Sequence, residues 1–205
     1  TAMNNLAAFH AANGQAGSAQ PLYQAALALR EQLLPADHPD IAASLNNLAA
    51  LHADDGRPQE AEALYRRALA IQQRTLGAEH RAVAVTLNNL GQTLHRLRRS
   101  ADAESSYRQA LAIAGTAAWS DDVALALTRN NLALLYLDAQ RLAEAEPLLK
   151  EAAQTLLSRL PVQHEHVRRV VGNYVECLRR LNRDDEAKAW LARLQVAAGE
   201  GRAAA

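Results

Sequence analysis

Aromatic side chains are scarce in this 205-residue chain, 4% of the whole, although 49% of its residues are hydrophobic. The apolar content is therefore mostly alanine and leucine. Both are strong helix formers and alanine lets backbones approach closely, so the core is expected to be closely packed helices rather than large rings. Charge of one sign is missing as well, since Lys plus Arg and Asp plus Glu each number 22. Without a net field, nothing in the overall charge recruits nucleic acid or an acidic membrane. Cys177 is the single cysteine, which excludes an intrachain disulfide and fits a reducing compartment. No apolar run approaches the length of a membrane span, and Thr1 to His10 lacks the charged and apolar regions of a signal peptide. A soluble, cytoplasmic chain is expected.

What the sequence does have is an internal period. Asn-Asn-Leu-Ala stands at Asn4 to Ala7, returns at Asn46 to Ala49, becomes Asn88 to Gly91, and returns at Asn130 to Ala133. Each step is 42 residues, and a fifth lands on the degraded copy Gly172-Asn173-Tyr174-Val175. A second marker keeps the interval: Ala19, Ala61, Ala103, Ala145 and Ala187, each followed four positions on by Tyr23, Tyr65, Tyr107, Leu149 or Leu191.

Within the second copy, Leu45, Leu48, Ala49 and His52 follow one helical spacing, and Ala61, Leu64, Tyr65, Ala68 and Leu69 follow another. The first helix is predicted to begin at His38-Pro39-Asp40, with Asp37 or His38 as N-cap and Pro39 at a tolerated first-turn position. It should stop near Asp54-Asp55-Gly56, where Gly56 can take the left-handed conformation that closes a helix. The second helix should run from Pro58 to about Leu76, with Gly77 breaking it. Short turns make each copy an antiparallel hairpin.

Leu48, Ala49, Gly56, Ala61, Tyr65 and Ala68 sit at the spacing of the tetratricopeptide signature, and the second copy resembles the 42-residue variant found in kinesin light chains and many bacterial proteins. The resemblance covers nearly the whole chain. It implies an all-α, right-handed α-solenoid of about five stacked hairpins, a single array with repeats near 1–35, 36–77, 78–119, 120–161 and 162–198 and a flexible tail at 199–205. Departures are Arg98 and Gln140 at the turn glycine, Ser106 and Trp190 at a leucine of the second helix, and Arg129 at a normally apolar first-helix position. Because Thr1 already lies inside the first helix of copy one, the chain is expected to be a fragment of a longer protein. Trp190 is expected to be exposed or loosely covered unless a sixth hairpin follows.

Seven histidines invite a metal or acid–base reading, and the register accounts for most of them. His10 and His52 share one packing position, where copies three and four have Leu94 and Tyr136, while His38, His80 and His164 share the position before a first helix, which suggests capping. His164-Glu165-His166 lacks a third ligand at a recognised spacing. Cys177, amid Val175 and Leu178, reads as a small core residue. No glycine-rich phosphate loop, nucleophile elbow or paired metal motif is present, so no cofactor and no enzymatic activity are expected.

The asparagines are different, because Asn recurs in mid-helix at a cost of up to about 0.7 kcal/mol each. Beside core-facing Leu48 and Ala49, the pairs Asn46 and Asn47, Asn88 and Asn89, and Asn130 and Asn131, with Asn173, should lie toward the concave side of the first helices. Amides suit the alternating groups of an extended peptide backbone, and in similar proteins asparagines at this place do hold peptides, a role the resemblance implies for Asn47, Asn89 and Asn131. The other reading is a ladder of amides bonding between adjacent first helices or to nearby loops. Asp54, Arg96, Asp138 and Arg180 occupy one position with alternating sign, and exposed ion pairs between neighbours are expected. In copy four, Leu127, Leu134 and Leu137 form a stripe beside the asparagines, read as an apolar anchor pocket. The expected function is a scaffold binding an extended peptide of a protein partner. The alternative is an oligomerisation or intramolecular regulatory module, as similar bacterial repeats are beside signalling NTPases, with self-association.

Overall fold

The computed structural model describes residues 2–115 and 122–203, with side chains described as far as residue 194. Among the described residues the chain is all helix and turn: α1 (Ala2–Ala12), α2 (Ala16–Leu33), α3 (Pro39–Asp54), α4 (Pro58–Leu76), α5 (Arg81–Arg96), α6 (Ser100–Ala114), α7 (Asp122–Asp138), α8 (Leu142–Arg159), α9 (Glu165–Arg180) and α10 (Asp184–Ala203). The chain divides into two compact units, 1–113 and 114–205. In the first, α1 and α2 pack as one hairpin and α3 and α4 as the next; α2 packs on α3, α4 on α5, and the first helices α1, α3 and α5 touch in sequence. In the second, α7 pairs with α8 and α9 with α10, while α8 and α7 both touch α9.

Local chemistry explains where these helices start and stop. His38, His80 and His164 are the N-caps of α3, α5 and α9, and each ring accepts from the backbone N–H two residues on, at 3.1, 3.1 and 3.2 Å. An orphan donor of the first turn is thereby satisfied. At the other end, the turn residue takes the left-handed conformation in all five copies, with φ of 71° at Gly14, 74° at Gly56, 61° at Arg98, 60° at Gln140 and 59° at Asn182. The next residue then donates its N–H back to the helix, as Arg57 does to the His52 carbonyl at 2.8 Å and Arg99 to Leu94 at 2.9 Å. Loss of the turn glycine in copies three and four has thus left the turn intact, at a cost of about 1 kcal/mol for a side chain in that conformation.

The core of each hairpin is built from the repeating markers. Ala19, Ala61, Ala103 and Ala145 are fully buried, and Tyr65, Tyr107 and Leu149 are at most 2% exposed. Gly91 stands where copies one, two and four have alanine, and a Cβ there would sit 2.7 Å from the Tyr107 ring, which would have to shift. Three other departures resolve locally. Ser106 turns its hydroxyl to the Asp102 carbonyl at 2.9 Å, and Arg129 reaches Glu151 of α8 at 3.0 Å. Trp190 is not loosely covered: it is buried and meets Tyr174 edge to face, ring centroids 5.0 Å apart. An aromatic pair of that kind stabilises beyond its buried area. α10 continues to Ala203; of the tail expected at 199–205, residues 204–205 lie outside the described residues.

Candidate functional site

The two members of each asparagine pair have different surroundings in unit 1. Asn4 is buried and donates its amide to the Ser44 hydroxyl of α3 at 3.3 Å. Asn46, one repeat on, has its amide oxygen 3.1 Å from the Thr86 hydroxyl of α5. Asn4 and Asn46 are therefore rungs between neighbouring first helices. Each rung continues into a second helix: Arg30 of α2 donates to the Ser44 hydroxyl at 2.7 Å, and the buried Thr86 hydroxyl donates to buried Gln72 of α4 at 2.8 Å. Sequence reasoning missed these hydroxyls, although Ser44, Thr86 and Thr128 all stand two residues before an asparagine pair.

The second members are on the open side. Asn5 and Asn47 are exposed, and Asn89 is half-buried, accepting from Asn88 at 3.2 Å. Asn47 and Asn89 border the same depression of about 430 Å³ between α3 and α5, floored by Ala43, Ala50, Ala82 and Val85 and edged by His80 and Arg81. Val85, 42% exposed, is the large apolar side chain available there. Toward the far ends of the helices the same face carries two more depressions. One, of about 360 Å³, lies between α1 and α3 with Tyr23, Asn47, Asp54 and Asp55 on its walls. The other, of about 180 Å³, lies between α3 and α5 with Tyr65, Asn89, Gln92 and Arg96. Burial raises the hydroxyls of Tyr23 and Tyr65 above the ordinary phenol range, so both remain neutral donors.

In unit 2, Asn130 is buried and accepts from the Asn173 amide at 2.8 Å, tying α7 to α9. Asn131, Leu127 and Leu134 are half-buried. Leu137, expected in the anchor stripe, is 4% exposed and cannot serve as one. At 3.6 residues per turn it lies about 80° round the helix from Leu127, which carries it into the core. The stripe thus reduces to Leu127 and Leu134.

The alternating charges act in a way not fully foreseen. Arg96 stands 3.8 Å from Asp54, as expected, with both side chains more than half exposed, so the pair contributes about 0 to 1 kcal/mol. Arg96 also donates to the Ala53 carbonyl, and Arg180 donates to the Leu137 carbonyl and to Gln140 Oε1, each at 2.8 Å. These arginines cap the C-terminus of the preceding first helix, where cations are favoured. A second basic series was missed altogether. Arg99 joins Glu62 of the preceding hairpin at 2.7 Å to Asp102 of its own, and Arg183 does the same with Glu146 at 3.3 Å and Glu186. The signal was the recurrence of Arg57, Arg99, Arg141 and Arg183 at the repeat interval.

His52 is buried, and burial, then Arg57, lower its pKa against the opposing pull of Glu60 at 3.3 Å. Cys177 is buried and its thiol is pushed up by that burial, the reverse of an activated nucleophile. Among the described residues no group of three metal-ligating side chains comes together, and no helix is long and apolar enough to cross a membrane.

Comparison with known proteins agrees with this construction. The chain shares its fold with a kinesin-light-chain-type repeat protein of Podosopora anserina, at a TM-score of 0.80, 22% identity, and coverage of 98% of this chain and 95% of that one. It is similar also to BtubC (BKLC) from P. vanneervenii, at 0.84 and 24% identity over 98% of this chain and 80% of that one. The apo form of RapI matches at 0.81 with 11% identity, over 98% and 70%. No curated protein matches the sequence, and the families that match are not enzymatic. The tetratricopeptide repeat family matches residues 1–73, 40–115 and 125–160, and with its helix pairs stacked as that family's are, the chain belongs to the tetratricopeptide repeat proteins, which generally serve as protein-interaction modules.

Proposed function

We propose that this chain binds an extended segment of a protein partner on the face formed by α1, α3 and α5, with Asn47 and Asn89 holding the peptide backbone. The observation that supports this reading is the division of labour within the asparagine pairs. Asn46, half-buried, touches only the depression of about 430 Å³ between α3 and α5 and meets the Thr86 hydroxyl of the neighbouring hairpin there, whereas Asn47, exposed one residue away, borders two of the three depressions on that face. An amide that is costly in mid-helix and has no place in the core is best accounted for by a ligand. Asn131, with Leu127 and Leu134, would supply the equivalent contacts on unit 2, the Asn173 amide being bonded to Asn130.

Selection of a phage-displayed random peptide library on the intact chain tests this reading. Replacing Asn47 and Asn89 together by Ala should weaken a selected peptide by roughly 1 to 3 kcal/mol, two hydrogen bonds' worth, while the unfolding midpoint stays in place. A collapsed midpoint with unchanged affinity would make the second asparagines structural after all.

A further inference from the structure

The depressions beside Tyr23 and Tyr65 are the same site one repeat apart. Asn47 in the first answers to Asn89 in the second, Ala50 to Gln92 and Leu51 to Thr93. At one position the chemistry differs: Asp54 edges both depressions, and in the second Arg96 stands beside it at 3.8 Å. The first also carries Asp55, and the C-terminal ends of α1 and α3, at Ala12 and Asp54, close on it with the negative end of each helix dipole. Its walls are otherwise apolar, from Ala11, Ala16, Ala50 and Leu51.

Tyr23 supplies an independent pointer to a ligand. The side chain is 5% exposed and lines this depression, yet among the described residues its hydroxyl has no hydrogen-bond partner. Two arginines already touch these carboxylates: Arg57 binds Asp55 at 3.0 Å and Gln20 at 2.9 Å, and Arg96 stands 3.8 Å from Asp54 while donating to the Ala53 carbonyl, but neither lines the depression itself. Three carboxylates, Asp54, Asp55 and Glu60, face those two guanidinium groups, so the local balance stays negative.

We infer that this depression receives a lysine or arginine side chain of the bound peptide, its aliphatic stem on Ala11, Ala16 and Ala50 and its charged head at Asp54, Asp55 and the Tyr23 hydroxyl. The inference rests on the peptide-binding reading above and names what that peptide must contain. In the twin depression Arg96 already stands against Asp54, so a second cation is disfavoured there. Adjacent first helices lie about 10 Å apart and an extended chain rises about 3.3 Å per residue, so the residue entering the twin site follows or precedes the basic one by about three positions.

The library selection decides it when run in parallel on the intact chain, on Asp54→Asn/Asp55→Asn, and on Asn47→Ala/Asn89→Ala. Peptides enriched by the intact chain should share a Lys or Arg at one position, and exchanging it for norleucine should cost about tenfold or more in affinity. The double Asp variant should lose that preference while still enriching peptides, and Tyr23→Phe should weaken the same peptides several-fold with its unfolding midpoint unchanged. Enriched peptides without a common basic residue, or the same preference after both Asp changes, would overturn the inference and leave peptide binding standing. Failure of the intact chain to enrich any peptide would overturn both.

Discussion

Hairpins meet differently in the two units. In unit 1 the contact between consecutive hairpins is crossed by polar rungs, Asn4 to Ser44 to Arg30 and Asn46 to Thr86 to Gln72. In unit 2 the positions of Gln72 and Thr86 are taken by Leu156 and Val170, both fully buried, and Asn130 turns instead to Asn173. The same backbone geometry is held once by hydrogen bonds and once by apolar burial. A buried hydrogen-bonded network contributes little net free energy yet penalises the loss of one partner, whereas an apolar contact responds to lost volume.

That contrast can be broken at either end. Leu156→Ala in unit 2 should cost the most, about 2 to 5 kcal/mol, because it empties a fully buried site; denaturant unfolding reads it directly, and a loss below 1 kcal/mol would deny that burial holds that interface. Thr86→Val in unit 1 should cost about 1 to 3 kcal/mol by stranding the buried Gln72 amide. Smaller still is the gain from Arg98→Gly, about 1 kcal/mol, since the residue already sits at φ 61°; a drop in the unfolding midpoint would mean the Arg98 side chain holds the turn. The least effect belongs to the combined Gln72→Leu/Thr86→Val change, which copies the Leu156 and Val170 pair into unit 1. Removing both partners at once should bring the chain back to within about 1 kcal/mol of the original. Were the double variant as unstable as Thr86→Val alone, the two interfaces would not be interchangeable solutions.

Most of the architecture was legible because a 42-residue period in Asn-Asn-Leu-Ala and in the buried alanines projects directly onto stacked hairpins. The caps were legible too: His38 and Gly56 have only short-range jobs, and local chemistry decides them. The functional face was harder. By spacing alone the asparagines read as one group, with only the resemblance picking out Asn47, Asn89 and Asn131, since adjacent residues of one type carry no mark of which way each points and the helix rotates about 100° between them. What separates Asn46 from Asn47 is a hydroxyl 40 residues away, Thr86. Leu137 was misplaced for a related reason, as a stripe drawn over ten residues drifted from the open face into the core. The alternation of Asp54 and Arg96 was visible in the sequence, but its meaning was not: only the structure shows Asp54 edging the depressions of both Tyr23 and Tyr65, with Arg96 beside it in the second alone.

The assignment of separate duties to neighbouring amides is tested most directly by the affinity of one library-selected peptide for chains carrying Asn46→Ala or Asn47→Ala. Weakening of about fivefold or more at Asn47, with affinity preserved at Asn46, is the expected result. Loss of affinity at Asn46 with none at Asn47 would contradict it.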